Sequence, residues 1–180
     1  ENYPHALFYI VEGKIKTYKT NEDGKELITG VHSKGDFIGY LPLLQDCEYQ
    51  DSAMAMEKST INVISKADFN QLVHNNRDVS MKFIKMLSGN IMDKESELLK
   101  YAYNTVRKRV ADSLLKVGQK YINEEQDLFA LSREDLANMV GTAPESVIRV
   151  LSEFKEDKII ETEGRKIRIL NIEDLKAIQY

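Results

Sequence analysis

Residues 131–160 read LSREDLANMVGTAPESVIRVLSEFKEDKII. Leu136, Met139 and Val140 fall on one face of a first helical segment. Val147, Val150, Leu151 and Phe154 recur at i, i+3, i+4 and i+7 in a second, which is the period of an amphipathic helix. Gly141 stands where the first helix must stop, because glycine takes the left-handed conformation past a helix end without steric cost. Pro144 has no backbone N–H, which suits it to a first turn where that donor has no helical partner. Two helices joined this tightly form a helix-turn-helix, whose second helix is shaped to enter a DNA major groove. The start of that second helix has two readings. Pro144 as its first residue makes Ala143 the cap, a poor residue for it, whereas Thr142 with Glu145 forms a capping box. Ser132 with Asp135 gives the first helix a similar start.

With the apolar stripe assigned inward, Glu145, Ser146, Ile148 and Arg149 are left outward on the first turns of the second helix, the part that reaches base edges. Arg149 suits guanine O6 and N7, Glu145 suits cytosine N4, and Ile148 suits a thymine methyl. Glu145 and Arg149 also have the spacing of an exposed i,i+4 ion pair of small energetic weight. That plainer reading leaves the outward isoleucine without a reason. Thr142 in the turn, Arg133 at the head of the first helix, and Arg165 with Lys166 beyond it complete the candidate DNA-contacting set. Two further basic clusters, Arg107-Lys108-Arg109 and Arg149 with Lys155 and Lys158, have the form of a solvated charged face. The Arg165–Lys166 pair, at the tip of an expected hairpin beside the helix-turn-helix, is the one placed to touch phosphate.

This end of the chain resembles the DNA-binding end of the Crp/Fnr superfamily, the bacterial regulators related to the cyclic-AMP receptor protein and the fumarate–nitrate regulator. The matching residues are S-R-E-D-L-A from Ser132, V-G at Val140, E-S-V-I-R-V-L from Glu145, and G-R-K-I-R-I-L from Gly164 to Leu170. The resemblance implies a winged helix-turn-helix in which Glu145 and Arg149 read a G·C-containing half-site, with RNA polymerase as a partner. It departs at Pro144, where the cyclic-AMP receptor branch carries an arginine. Any base contact of that arginine is lost, so the half-site sequence does not carry over.

Upstream, Phe8 to Val11, Lys14 to Tyr18, Glu26 to Val31 and two segments within Ser52 to Ile64 read as short strands. Glu12-Gly13, the Asp-Gly turn at Asn21 to Gly24 and a turn-rich Gly35 to Gly39 separate them, which predicts an all-β roll or barrel. Phe8 to Gly13 and Gly35 to Gly39 resemble the two landmarks of the same family's cyclic-nucleotide-binding β-roll. That family has further strands before the first landmark, so an N-terminally truncated fragment is expected. In cyclic-AMP binders of the family a glutamate follows the glycine equivalent to Gly39 and holds the ribose; here Tyr40 stands there. An arginine before a serine neutralises the cyclic phosphate; here the pair is Asp51-Ser52, and a carboxylate repels a phosphate. The residues that read adenine align with Lys94-Glu95. The pocket formed by Gly39, Tyr40, Asp51, Ser52 and Lys94 is therefore expected to be degenerate, with no cyclic AMP bound and another effector, or none, left open.

From Lys66 the pattern turns helical, first over Ala67 to His74 and then over a long helix from Asp78 to Tyr101. Ile84, Leu87, Ile91, Lys94, Leu98 and Tyr101 follow heptad spacing with one charged interruption. Such a helix either packs on its own roll or forms a two-fold seam. The seam is the expectation, since a lone helix of this pattern exposes an apolar strip. Lys94 then sets register in the seam or approaches an acidic group of the roll. A homodimer also suits paired recognition helices, which want half-sites about one turn (roughly 34 Å) apart. Asn104-Thr105 breaks the helix as hinge and linker. A helix from Val106 to Val117 follows, buried through Val106, Val110, Leu114 and Val117. Then come a polar loop over Tyr121 to Gln126, a strand at Leu128 to Ala130, the helix-turn-helix, a wing turned at Glu163-Gly164, and a last helix over Ile172 to Ile178.

The predicted fold is α+β in three parts: a sensor β-roll over residues 1–77, a dimerisation helix and hinge over 78–104, and a winged helix-turn-helix over 105–180. With 42% hydrophobic and 30% charged residues the 180-residue chain is that of an ordinary soluble protein. No apolar run approaches a membrane span or signal peptide, and the expected place is the cytoplasm. The single cysteine, Cys47, excludes an internal disulfide framework and, within this fragment, a cysteine-ligated iron–sulfur cluster. His5, His32 and His74 lack ligand spacing, and neither metal nor cofactor is expected. Net charge is −4 and neither half is basic, so DNA affinity must come from local patches. No nucleophile–base pair or phosphate-cradling glycine loop points to an enzyme. The rival is a sensor or protein-interaction module whose winged helix no longer reads DNA.

Overall fold

The computed structural model describes residues 3–121 and 128–178. The chain divides into two compact units, Glu1–Glu95 and Ser96–Tyr180.

The first unit is built from hairpins. Strands β1 (Ala6–Glu12), β4 (Phe37–Ile38) and β6 (Thr60–Ser65) form one antiparallel sheet in the order β4-β1-β6. Strands β2 (Ile15–Thr20), β3 (Glu26–His32) and β5 (Ser52–Ala55) form another in the order β3-β2-β5. The β2–β3 turn closes because the Asn21 side-chain oxygen accepts from the backbone N–H of Asp23 (3.1 Å) and Lys25 (2.8 Å), with Gly24 at φ +77°. The sheets bury Ile10, Ile15 and Ile38 at one place. Leu7, Leu43 and Phe69 are buried at another, against Phe37, Ile64 and Phe83. Leu43 comes from α1 (Tyr40–Gln45) and Phe69 from α2 (Lys66–Asn75). The sequence reading did not include α1. Phe83 lies on α3 (Arg77–Tyr103), and its ring stands 5.9 Å from Phe37 and 5.2 Å from Phe69. The Asn76 side chain starts α3 by accepting from Asp78 and Val79.

The second unit begins with the last turns of α3 and continues through α4 (Val106–Tyr121), β7 (Leu128–Ala130), α5 (Arg133–Val140) and α6 (Pro144–Glu156). Strands β8 (Ile160–Glu163) and β9 (Lys166–Ile169) and helix α7 (Ile172–Ala177) complete it. The order β7-β9-β8 makes a three-stranded wing. Val147, Val150, Leu151 and Phe154 of α6 are all buried, as are Val110, Leu114, Leu136, Val140, Ile160 and Ile167, and α4, α5 and β8 all pack on α6. Two expected core positions give way to smaller residues on the same helices. Met139 is only half-buried and Ala137 is buried in α5, while Val106 is half-buried and Ala111 is buried in α4. In each case the buried stripe is centred slightly around the helix from where large side chains alone would put it. Helix α4 runs to Tyr121, past its expected end at Val117, and the remainder of the expected polar loop lies outside the described residues.

Candidate nucleic-acid interface

Two local devices fix the helix-turn-helix. The Ser132 hydroxyl caps α5 by accepting from the Asp135 N–H at 2.9 Å and donates to the Asp135 carboxylate at 2.7 Å. Gly141 ends α5 at φ 67°, ψ 48°, and its N–H and that of Thr142 both return to the Ala137 carbonyl. Of the two readings of the next start, the structure takes Ala143: it is the cap of α6, with no side-chain cap bond and Pro144 following. Thr142 is half-buried in the turn and does not close a capping box with Glu145. The fixed φ of Pro144 pre-sets the first helical residue, which makes up part of what the missing cap gives away.

On the outward face of α6, Glu145 and Arg149 are exposed and Ser146 is half-buried. Ile148 is 50% exposed. Among the described residues, neither Glu145 nor Arg149 has a hydrogen-bond or ionic partner, so the exposed i,i+4 pair does not form. At the wing, Gly164 turns at φ +59° and leaves Arg165 and Lys166 exposed. The Arg165 carbonyl accepts from the Leu131 N–H at 2.9 Å, which ties the wing tip to the segment leading into α5. Arg168 is committed to Glu161 across the hairpin (3.1 Å). Arg133 is the odd member of the expected set. It is half-buried, its Nη1 is enclosed without a partner among the described residues, and burial lowers its pKa below the usual arginine value.

The cluster Arg107-Lys108-Arg109 is not a free basic face. Arg107 bonds Glu153 and Asp157 (2.9 Å to the latter) with its guanidinium 4.8 Å from the Phe154 ring centre. Lys108 pairs with Asp112 at 3.0 Å, and Arg109 lies over the Tyr101 ring at 5.6 Å. These partners are distant in sequence or turned by the α4 helix, and the run of like charges gave no signal of them.

Along α3 no residue is buried. Ile84 (53%), Ile91 (61%) and Leu98 (68%) are exposed and Leu87 is half-buried, which leaves the heptad strip open. Two expected seam residues are turned elsewhere: Lys94 Nζ donates to the Thr29 carbonyl of the roll (2.6 Å), and Tyr101 Oη donates to the Met139 carbonyl of α5 (2.7 Å).

Gly39, Tyr40, Asp51, Ser52 and Lys94 all line one cavity of ≈ 610 Å³ in the first unit. Gly39 holds φ +81°, and a Cβ there would stand 3.1 Å from the Phe8 ring. The Tyr40 hydroxyl accepts from Asn90 at 2.6 Å, and burial raises its pKa. Asp51 is paired with Lys19 at 2.9 Å. Lys19, Thr17 and His32 also line the cavity, brought there by the pairing of β2 with β3 and β5, and Phe8 joins them from β1, opposite Ile38 of β4; sequence spacing alone carries no sign of either. Among the described residues no cluster of metal-ligating side chains exists, and no helix is long and apolar enough to cross a membrane.

A β-roll whose strands line a cavity, and a winged helix-turn-helix whose Glu145 and Arg149 have no polar partner among the described residues, together have the form of a DNA-binding regulator. Residues 1–76 match the cyclic nucleotide-binding domain and residues 108–178 match the Crp-like helix-turn-helix domain. The chain belongs to the Crp/Fnr family of transcription regulators. It is 26% identical over 177 residues to the transcriptional activator protein Anr of Pseudomonas aeruginosa, covering 96% of this chain and 72% of that one. It is 28% identical over 167 residues to the cAMP-activated global transcriptional regulator CRP of Pasteurella multocida, covering 90% and 79%. The structure of FixK2 from Bradyrhizobium japonicum shares the fold with a TM-score of 0.85 at 23% identity, covering 100% of this chain and 90% of that one. Regulators of this family bind DNA and act as dimers.

Proposed function

We propose that this regulator is a cytoplasmic homodimer that pairs along α3 and reads a palindromic operator with Glu145, Ile148 and Arg149 of α6. Ser146 and Thr142 flank these contacts, and Arg165 and Lys166 of the wing hold the adjoining phosphates. Arg133 reaches the backbone only after its enclosed guanidinium turns outward. The carrying observation is a helix buried along one whole face whose other face presents an acid, an isoleucine and an arginine, the charged pair without a polar partner among the described residues. Those are the side chains that match cytosine N4, a thymine methyl and guanine. Ile84, Leu87, Ile91 and Leu98 form the seam, and RNA polymerase is the further partner in transcription.

In the roll (residues 1–77) the effector is not cyclic AMP. Asp51, neutralised by Lys19, offers a phosphate no cation of its own, and Tyr40, bonded by Asn90, occupies the ribose position that the resemblance assigns to a glutamate. The helix segment 78–104 and the DNA-binding part 105–180 carry the response. Selection of bound sequences from random duplex DNA by the purified protein tests the reading. It predicts enrichment of an inverted repeat with half-sites about one turn (roughly 34 Å) apart. Enrichment of nothing beyond random DNA contradicts it.

A further inference from the structure

The break in the helix at Asn104-Thr105 looks like a hinge in the sequence, yet helical bonding runs up to it from both sides. The Asn104 N–H still bonds the Lys100 carbonyl at 3.0 Å, the last bond of α3. The Thr105 carbonyl already accepts from the Arg109 N–H at 3.0 Å, and its hydroxyl accepts from the Lys108 N–H at 3.3 Å. A single peptide therefore separates two bonded helical ladders.

The helices on either side are also joined side by side. Glu97 pairs with Lys116, Lys100 lies 3.5 Å from Asp112, and the Tyr101 ring lies under Arg109. Partner numbers that rise on α4 as they fall on α3 mark two antiparallel helices. From this corner two side chains reach the helix-turn-helix. The Tyr101 hydroxyl donates to the Met139 carbonyl, two residues before the turn glycine. Arg107 grips Glu153 and Asp157 at the far end of α6 and stacks on Phe154 between them. Two carboxylates on the last turn of a helix oppose its dipole, so their place there makes sense with the guanidinium between them. Exposed ion pairs are individually weak, but a planar fork on two acids and a ring fixes direction as well as distance.

We propose that the corner at residues 101–107 is locked, and that Tyr101 and Arg107 are positioning residues. Through them the last two turns of α3 carry the recognition helix as a rigid attachment. A shift of the paired α3 helices then reaches α6 undamped, without bending at Asn104. This rests on the reading that two copies pair along α3 and bind DNA.

The test uses the full chain and three duplexes: the selected operator, the same operator with one base pair added at its centre, and a single half-site. Wild-type protein is expected to bind the lengthened operator at least about tenfold more weakly, because rigid recognition helices match one spacing. Tyr101→Phe keeps the ring and Arg107→Gln keeps the length. Both are expected to cut that penalty to about twofold while half-site affinity stays within about twofold of wild type. Arg107→Lys, with charge but no fork, falls between. The proposal is overturned if both variants keep the wild-type penalty. It is equally overturned if half-site affinity falls as far as operator affinity, since that marks damage to the winged helix itself. Wild-type protein that ignores spacing but binds the half-site removes the paired-helix reading, and this inference with it.

Discussion

Ile148 gives the sharpest prediction, because its contact can be removed from the DNA side alone. Its side chain is 50% exposed on a helix whose opposite face is fully buried, so half of it remains to be covered by a ligand. A thymine methyl seated on that half is worth about 0.8 kcal/mol, the value of one buried carbon, or about fourfold in affinity. With a half-site under each protomer the effect doubles to about 1.6 kcal/mol, or about 15-fold. The perturbation is thymine to uracil, which deletes the methyl and leaves every hydrogen-bonding group in place. Fluorescence anisotropy at one fixed salt concentration is the assay, because phosphate contacts make affinity strongly salt-dependent. Uracil is scanned through the thymines of the selected operator against wild-type protein and Ile148→Ala. One symmetric pair of positions should show the loss with wild type and none with the variant. A scan that is flat for wild type, or a loss that persists in Ile148→Ala, refutes the reasoning.

Ile91→Glu places a charge on the exposed strip of α3. Folding should change by no more than about 0.5 kcal/mol, while analytical ultracentrifugation shows a monomer at concentrations where wild type is a dimer; an intact dimer removes the seam. Ser132→Ala deletes the cap of α5 and should lower stability by about 1 kcal/mol in chemical denaturation, with an unchanged midpoint arguing that the cap bond carries no weight. Isothermal titration of the chain with cyclic AMP should give no binding at micromolar concentration, and a micromolar isotherm contradicts the account of Tyr40 and Asp51.

The helix-turn-helix was legible because its signals are local. Gly141, Pro144 and the stripe from Val147 to Phe154 lie within a few residues of the contacts they specify, and the structure keeps them. Helix α1 was not legible: six residues, YLPLLQ, with a proline inside, give too little length for a period to show. The cap of α6 turned on Pro144, since a first-turn proline fixes where the helix begins whatever Thr142 could offer. The cavity was partly legible. The resemblance pointed to Gly39, Tyr40, Asp51, Ser52 and Lys94, but the pairs that set their chemistry, Asn90 with Tyr40 and Lys19 with Asp51, join residues far apart in the chain. The same holds for Arg107, read as part of a basic run until the fold placed two acids of α6 beside it. Spacing within a helix carries the first kind of information; only tertiary packing carries the second.

The central claim is that α6 reads base sequence, and Arg149 tests it most directly. Affinities of wild-type protein and Arg149→Ala are measured for the selected operator and for a shuffled duplex of equal length and salt. Arg149 is exposed and has no polar partner among the described residues, so its removal leaves the fold unstrained. The account predicts a loss of about 1–3 kcal/mol per half-site on the operator and little change on the shuffled duplex. Equal affinities of the two proteins for the operator would contradict it.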